Sequence, residues 1–362
     1  LDMRLFDRIN LTFDYYNKYT EDLLTNYQLP KEIGFNSIRR NIGSISNKGF
    51  EFLINGDLIR TGGWLWNMSF NIAKNDNKII ELSDGKPYLV NSTWLVQEGG
   101  KIGDFYGYKN LGVFQYDESN AFTEDWQRLT PVFENEVFQN RYLLNGVAYN
   151  GNVHKKTLPN GEPFRGGDID WDNSHEAEGE KGVINDKDRQ IIGNAQPKLY
   201  GGLNSSLDYK SFSLLVSFYY SLGGELYNQA LATINSNDNA NVMPSPDFVR
   251  NTWIEQGDVA KYPRPVADYF QNNRTVDSYY IEDASYIRLQ NVRLGYSLPS
   301  SLSKKISLRN LELFVYCNNV LTWTKYSGFD PEVSSGSALE IGMDTNRYPK
   351  KREFGIGTSI RF

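Results

Sequence analysis

Residues 352–362 read REFGIGTSIRF, and this stretch decides the fold. Phe354, Ile356, Thr358, Ile360 and Phe362 share one parity; Glu353, Gly355, Gly357, Ser359 and Arg361 share the other. A strand turns successive side chains to opposite faces of its sheet, so one face here is apolar and the other polar or bare. The pattern runs to the last residue, where chains fray unless they are tied into a sheet. Two architectures accommodate such a stretch. One is the edge of a soluble sandwich; the other is a stave of a closed barrel with lipid outside and water inside.

The same alternation recurs upstream. Ile9, Leu11, Phe13 and Tyr15 alternate with Asn10, Thr12, Asp14 and Tyr16, and Phe50, Phe52 and Ile54 flank Glu51 and Leu53. Trp64, Trp66, Met68, Phe70 and Ile72 alternate with Leu65, Asn67, Ser69, Asn71 and Ala73. Further runs cover 199–209, 212–220, 292–298 and 311–317, with weaker candidates near 102–116, 165–171 and 278–290. That makes roughly ten to twelve strands of the length a tilted membrane strand needs, about 10 residues each. Sandwich strands average only ~5–6 residues, so strand length favours the barrel. The off-face positions hold Asn, Ser, Asp, Gly and Tyr, which suits a wet lumen.

The connections are unequal. Arg60–Thr61–Gly62–Gly63 and Tyr209–Lys210–Ser211 reverse the chain almost at once, whereas 74–101, 117–164, 223–277 and 320–351 read as long loops rich in Asn, Asp, Gly, Pro and Tyr. Short turns at one end and long loops at the other is the asymmetry of outer-membrane barrels, with periplasmic turns and extracellular loops. Asp247–Gln256 reads as a short helix within a loop, with Asp247 as N-cap.

Composition narrows the function classes. Lys plus Arg total 38 against 44 Asp plus Glu, a net charge of −6, which supplies no basic footprint for nucleic acid. Aromatic residues make up 14 % of the chain although mean hydropathy is −0.54. A barrel with interfacial aromatic belts and a polar lumen reconciles those two values. No apolar run approaches the ~18 residues of a transmembrane helix. Cys317 is the one cysteine, read as a small apolar strand residue, and the two histidines, His154 and His175, build no zinc cluster. The acidic stretch around Asp170, Asp172, Glu176, Glu178 and Glu180 fails the EF-hand spacing and reads as a solvated loop. No phosphate cradle and no Gly-x-Ser-x-Gly occur, so no catalytic residue, cofactor or metal ligand is expected and the chain is not read as an enzyme. Loop aromatics Trp94, Tyr106, Tyr108, Trp126, Trp171, Trp253, Tyr279 and Tyr280 have faces that suit sugars or peptides, but loop packing explains each of them taken singly.

Longer motifs go beyond pattern. GDIDW (167–171), GVINDKDRQIIGNAQPKLYGGLNSSLDYKSFSLLVSFYYSLGGELYN (182–228), FYGYKNLGVFQ (105–115), SYIRLQNVRLGYSLPSSLSKKISLRNLELFVYCNNVLTWTKYSGFDPEVSS (285–335) and the terminal REFGIGTSIRF resemble the SusC/RagA family of TonB-dependent outer-membrane transporters. The resemblance implies an all-β, transmembrane antiparallel barrel of the 22-stranded, plugged class. Residues 1–362 would supply roughly its C-terminal half as one unit, with the plug and the N-terminal strands absent. It also implies import of glycan fragments or oligopeptides across the bacterial outer membrane. The implied partners are a SusD-like surface lipoprotein lid, the TonB complex, the barrel assembly machinery and the lipid bilayer. Phe362 would be the terminal aromatic that the assembly machinery reads. The acidic loop DNSHEAEGEKG (172–182) is stretched relative to the family's usual Asp-x-Asn-x-Asp-Gly. An open half-barrel would leave two strand edges in lipid, which a bilayer does not tolerate. The native polypeptide is therefore expected to be longer, or to pair with another chain. The rival readings are a passive porin-like barrel, a secreted carbohydrate-binding β protein, and a non-transport accessory subunit of an outer-membrane assembly.

Overall fold

The computed structural model describes residues 1–22, 24–28, 37–41, 43–82, 85–173, 180–235, 243–265, 276–305, 307–332 and 339–362. Nine strands, all but the first of them long, form one antiparallel sheet, each beside its predecessor. They are β1 (Asp2–Leu5), β2 (Ile9–Thr20), β3 (Gly43–Thr61), β4 (Trp64–Leu82), β5 (Leu199–Tyr209), β6 (Phe212–Leu222), β7 (Tyr286–Ser297), β8 (Asn310–Thr324) and β9 (Glu353–Arg361). The sheet is open, with β1 and β9 as its edges.

Connections alternate strictly. Residues 6–8, 62–63, 210–211 and 298–309 join strands at one end. At the other end, 21–42, 83–198, 223–285 and 325–352 do so. Gly62 and Gly63 both take positive φ (60° and 83°), as a two-residue hairpin turn matched to strand twist requires. The long connections carry small sheets of their own, built from segments such as Asp104–Gly107, Ile169–Trp171 and Gln190–Asn194.

Against the ten to twelve strands read from the sequence, nine pair in the wall among the described residues. The candidates at 102–116 and 165–171 are extended, as Asp104–Gly107, Asn110–Val113 and Ile169–Trp171, but they pair inside a loop and not with the wall. The supposed loops 74–101 and 117–164 belong to one connection, 83–198, because β4 runs on to Leu82. The expected helix at Asp247–Gln256 is shorter and starts earlier. It spans Pro246–Asn251, and its cap is Ser245, whose Oγ accepts from Phe248 N at 3.1 Å. Among the described residues no helix is long and apolar enough to cross a membrane.

Register gives the sheet two chemically opposite faces. One row pairs Ile59, Trp66, Leu207, Leu214, Leu294, Val315 and Ile356 across seven strands. A second row on that face, nearer the long connections, pairs Leu11, Ile54, Phe70, Leu203, Phe218, Leu289 and Leu321. At its short-turn end stands an aromatic row, Trp64, Tyr209, Phe212 and Tyr296. Trp64 stacks on Tyr209 with ring centres 3.9 Å apart, and Phe212 lies 4.9 Å from Tyr296. From the Trp64 row to the level of Ile72 this face spans about 27 Å along the strands at ~3.4 Å per residue, the scale of a barrel's apolar band. This greasy face is the exposed one: Ile356 is 85 % accessible.

The hydrophobic core lies elsewhere. Ile45, Ile79, Leu82 and Tyr286 sit at the long-connection ends of their strands, and every other buried hydrophobic residue among those described lies within a long connection. Trp171, Phe105, Phe114, Phe164 and Ile184 are almost fully enclosed there.

Candidate functional site

Two surfaces have the makings of a site: the polar face of the sheet, and the cap built by the long connections. On the polar face one row runs Asn10, Asn55, Ser69, Asn204, Ser217, Asn291, Asn318 and Glu353 across eight strands without an apolar member. Asn291 Nδ2 donates to Asn318 Oδ1 at 2.7 Å, and Asn318 Nδ2 to Glu353 Oε2 at 3.3 Å. The glycines of the terminal strand have a reason on this face. The ring of Tyr316 lies across Gly355 and that of Phe314 across Gly357, so a Cβ at either would fall 2.4 Å from a ring carbon. The bare parity of REFGIGTSIRF is thus aromatic cover supplied by β8.

The cap is stitched from three connections. Trp94 and Phe105 pack with Tyr227, Val276 and Met343 in one cluster. Trp94 Nε1 donates to Ile341 O at 2.9 Å, Tyr227 N to Gly342 O at 2.8 Å, and Tyr108 N to Val276 O at 3.0 Å. A second cluster, comprising Tyr108, Phe114, Leu158, Phe164, Ile169, Trp171 and Ile184, lies wholly inside connection 83–198.

Charged groups tie these parts together. Asp277 accepts from Tyr279 N at 2.8 Å and from Asn110 Nδ2 at 2.9 Å. Burial raises its carboxyl to about 6 even though both bonds pull it down. Lys156 is enclosed beneath the Phe122 ring and donates to Asp170 Oδ1 at 2.8 Å and to Trp171 O at 2.5 Å. Burial, and then the neighbouring Arg128, push its ammonium down to about 8. Arg128 shares the same Asp170 carboxylate. Arg288, on the polar face at the mouth end of β7, reaches Asp330 at 2.5 Å and Glu332 at 2.6 Å, and Lys350 holds Glu332 from the other side at 2.5 Å. Connection 325–352 is thereby pinned to the wall.

The structure sorts the residues that sequence singled out. Phe362 follows β9 directly and is 81 % exposed. Cys317 stands on the apolar face, opposite Val292 and Phe354. Trp94, Tyr108, Trp171 and Trp253 are buried, so they pack the cap; Tyr106, Trp126, Tyr279 and Tyr280 are partly exposed. The described carboxylates of the acidic stretch are engaged with protein: Asp170 as above, Asp172 with Gln190 Nε2 at 3.1 Å, and Glu180 with Lys187 Nζ at 2.8 Å. Glu176, Glu178 and His175 lie outside the described residues. Among the described residues no three His, Cys, Asp or Glu side chains converge as a metal site would need. Sequence reading missed the Arg288 cluster, whose members lie too far apart in the chain to form a motif.

No family model matches the chain. Among curated proteins it is 40 % identical over 366 residues to TonB-dependent receptor P39 of Formosa agariphila, across 100 % of this chain and 35 % of that protein. It is 29 % identical over 360 residues to TonB-dependent receptor SusC of Bacteroides thetaiotaomicron, across 98 % of this chain and 30 % of that one. The chain thus spans about a third of the length of these relatives. Among solved structures, that of the RagAB peptide transporter aligns with a TM-score of 0.71 at 21 % identity, over 98 % of this chain and 33 % of that one, a likeness of fold.

Proposed function

Because this chain belongs to the SusC/RagA family of TonB-dependent outer-membrane receptors, we propose that it forms part of the barrel wall and outer mouth of a nutrient importer. The observation that carries this reading is the two-faced sheet. An apolar face of barrel-band height backs onto an unbroken polar row, and all long connections gather at one end. Water-filled on one side and lipid-coated on the other, such a wall conducts polar solutes. The short-turn end would face the periplasm and the cap the exterior. The edges β1 and β9 would pair with strands of the remaining barrel, since a bilayer leaves no strand edge unsatisfied.

In this reading the chain does no chemistry on its cargo. A SusD-like lipoprotein would close over the cap, polar face residues would line the route, and TonB would drive release through a plug carried elsewhere in the receptor. The cargo would be glycan fragments or oligopeptides. The test is uptake in the parent bacterium: deleting the receptor should abolish growth on one glycan or peptide source, and deleting TonB should give the same loss. Growth that survives TonB deletion but not receptor deletion would instead identify a passive pore.

Phe362 would serve as the terminal aromatic read by the barrel assembly machinery. Its deletion should lower the amount of receptor recovered in the outer membrane while the folded fraction keeps its melting temperature. Unchanged recovery would remove Phe362 from that role.

A further inference from the structure

Above the apolar band β2, β3 and β4 run on past the level where β5 begins and β6 ends, and their outer face changes character. Beyond Ile72 on the face that is apolar lower down, Lys74 stands opposite Phe50, Lys48 opposite Asp76 and Lys78 opposite Ser46. On β2, Tyr15 and Tyr19 flank the same rows. The three lysines and both tyrosines are exposed. Asp76 is the one carboxylate on this face at these levels, and Lys101 already holds it. Gly99 N donates to Ile79 O at 2.8 Å and Ile79 N to Gly100 O at 2.9 Å, which lays residues 97–101 beside β4 and brings Lys101 there. Among the described residues Lys48, Lys74 and Lys78 enter no ion pair. Four ammonium groups thus share one region with a single carboxylate, on a chain whose net charge is −6.

The opposite face of the same stretch is built otherwise. Asn75 Nδ2 donates to Asn47 Oδ1 at 3.0 Å, and Tyr16 Oη to Asn75 Oδ1 at 3.1 Å. Lys18, opposite Asn47, is the one lysine there. A stave standing free in water would spread its charge over both faces. Here the lysines keep the parity of the apolar residues below them, so they begin where a bilayer's acyl zone gives way to headgroups. At ~3.4 Å per residue, Lys74 lies about 7 Å beyond Ile72 along its strand and Lys78 about 20 Å, less the strand tilt. The first level is headgroup depth, and the upper ones are reached only by a tall headgroup. Directly beneath, Phe13 stacks on Phe50 with ring centres 6.5 Å apart, an apolar floor for an acyl chain. Tyrosines at this level are the amphipathic rings that bilayer interfaces favour.

We propose that the outer face of β2 to β4 binds a phosphorylated glycolipid of the outer leaflet. Its acyl chains lie on Phe13, Phe52 and Ile72, its phosphate meets Lys74 and Lys48, and acidic groups higher in its headgroup meet Lys78. Lysines clustered beside an apolar surface recognise anionic lipid heads, each contributing about fivefold in affinity. A phospholipid is the poorer occupant, because its phosphate stays at the lowest level and leaves Lys78 unused. A soluble acidic protein fits less well, because the cluster borders directly on the apolar band. This goes beyond cargo import and rests only on the apolar face meeting lipid.

The test uses the intact receptor in uncharged detergent, with retention read by native mass spectrometry. The probes are a phosphorylated glycolipid, the same glycolipid dephosphorylated, a zwitterionic phospholipid and inorganic phosphate. The phosphorylated glycolipid should be held most tightly, and its retention should fall as salt is raised. The triple variant Lys48→Gln, Lys74→Gln, Lys78→Gln should bind it about a hundredfold more weakly, the product of three such steps. Lys18→Gln, on the other face of β2, should leave it unchanged. Heat-modifiable gel mobility reports that each variant is folded. Retention indifferent to the triple substitution, equal retention of the dephosphorylated glycolipid, or equal affinity for inorganic phosphate overturns the proposal, the last by revealing a free-anion site. Unchanged lipid retention with loss of a co-purifying protein makes the face a protein contact and overturns it too. A receptor that never enters the outer-membrane fraction overturns the lipid-facing reading itself. One that inserts and retains no phosphorylated glycolipid overturns this site alone.

Discussion

The wall and the cap fold by opposite rules. In the wall the large apolar side chains are outermost: Phe354, Ile356, Leu313 and Val315 are all well exposed, and the opposite face carries Asn and Ser. In the cap, Trp171, Phe105 and Phe114 are enclosed as in any water-soluble domain. One chain therefore answers to two solvents, with the boundary at the mouth ends of the strands, where Ile45, Ile79 and Leu82 become buried. The difference teaches that aromatic content means little until it is located. Trp64 and Trp171 are the same residue doing contrary jobs, the first stacked at the rim of the apolar band and the second closing a core.

The contrast can be broken from the cap side first. Trp171→Ala should destabilise the cap by about 3–5 kcal/mol, the usual cost of emptying a large aromatic site in a core. Amide exchange should accelerate through connection 83–198 while the strands keep their protection. Loss of strand protection as well would mean that wall and cap are a single cooperative unit. From the wall side, Val315→Arg places a charge in the middle of the apolar face. It should cost about 2–4 kcal/mol in a bilayer and leave cap exchange unchanged. An equal penalty in a detergent-free, lipid-free refold would argue that this face does not meet lipid.

The smallest effect is a pH dependence confined to the cap. Asp277 titrates near 6 when folded against an ordinary 3.8, so its contribution is fully present below 3.8 and lost as pH rises through 6. Lys156 titrates near 8 against an ordinary 10.5. Between those two values the unfolded chain holds a proton that the folded one has released, so stability rises with pH. Both buried charges therefore weigh most on the cap between about 6 and 8. The opening free energy of the cap, taken from exchange rates corrected for their intrinsic pH dependence, should be lowest between about 6 and 8 and higher on either side, and Asp277→Asn should flatten the acidic side. A monotonic profile would contradict this account.

Much of the wall was legible in the sequence, because a wall strand must alternate: REFGIGTSIRF, WLWNMSFNI and SFSLLVSFYY each state their face residue by residue. What failed was length. Beyond Ala73 the chain reads KNDNKII, and β4 nevertheless continues to Leu82, past the level where lipid imposes a period. The cap was illegible for the complementary reason. Short extended segments such as Asp104–Gly107 carry strand composition but find their partners inside a loop, and no local signal separates those from staves. The Arg288 cluster was hidden more deeply still. Arg288, Asp330, Glu332 and Lys350 come from one strand and a connection that follows much later, and they meet only in the fold.

The cluster that joins Trp94, Tyr227 and Met343 also fixes an order of assembly. Hairpins β3–β4 and β5–β6 close through two-residue turns and need only nearby chain. The mouth cannot be completed until Met343, near the end of the chain, reaches Trp94, and closing so long a loop is entropically slow. The staves of this sheet should therefore stand before its mouth is sealed, with connection 325–352 docking after β3 to β6 have paired.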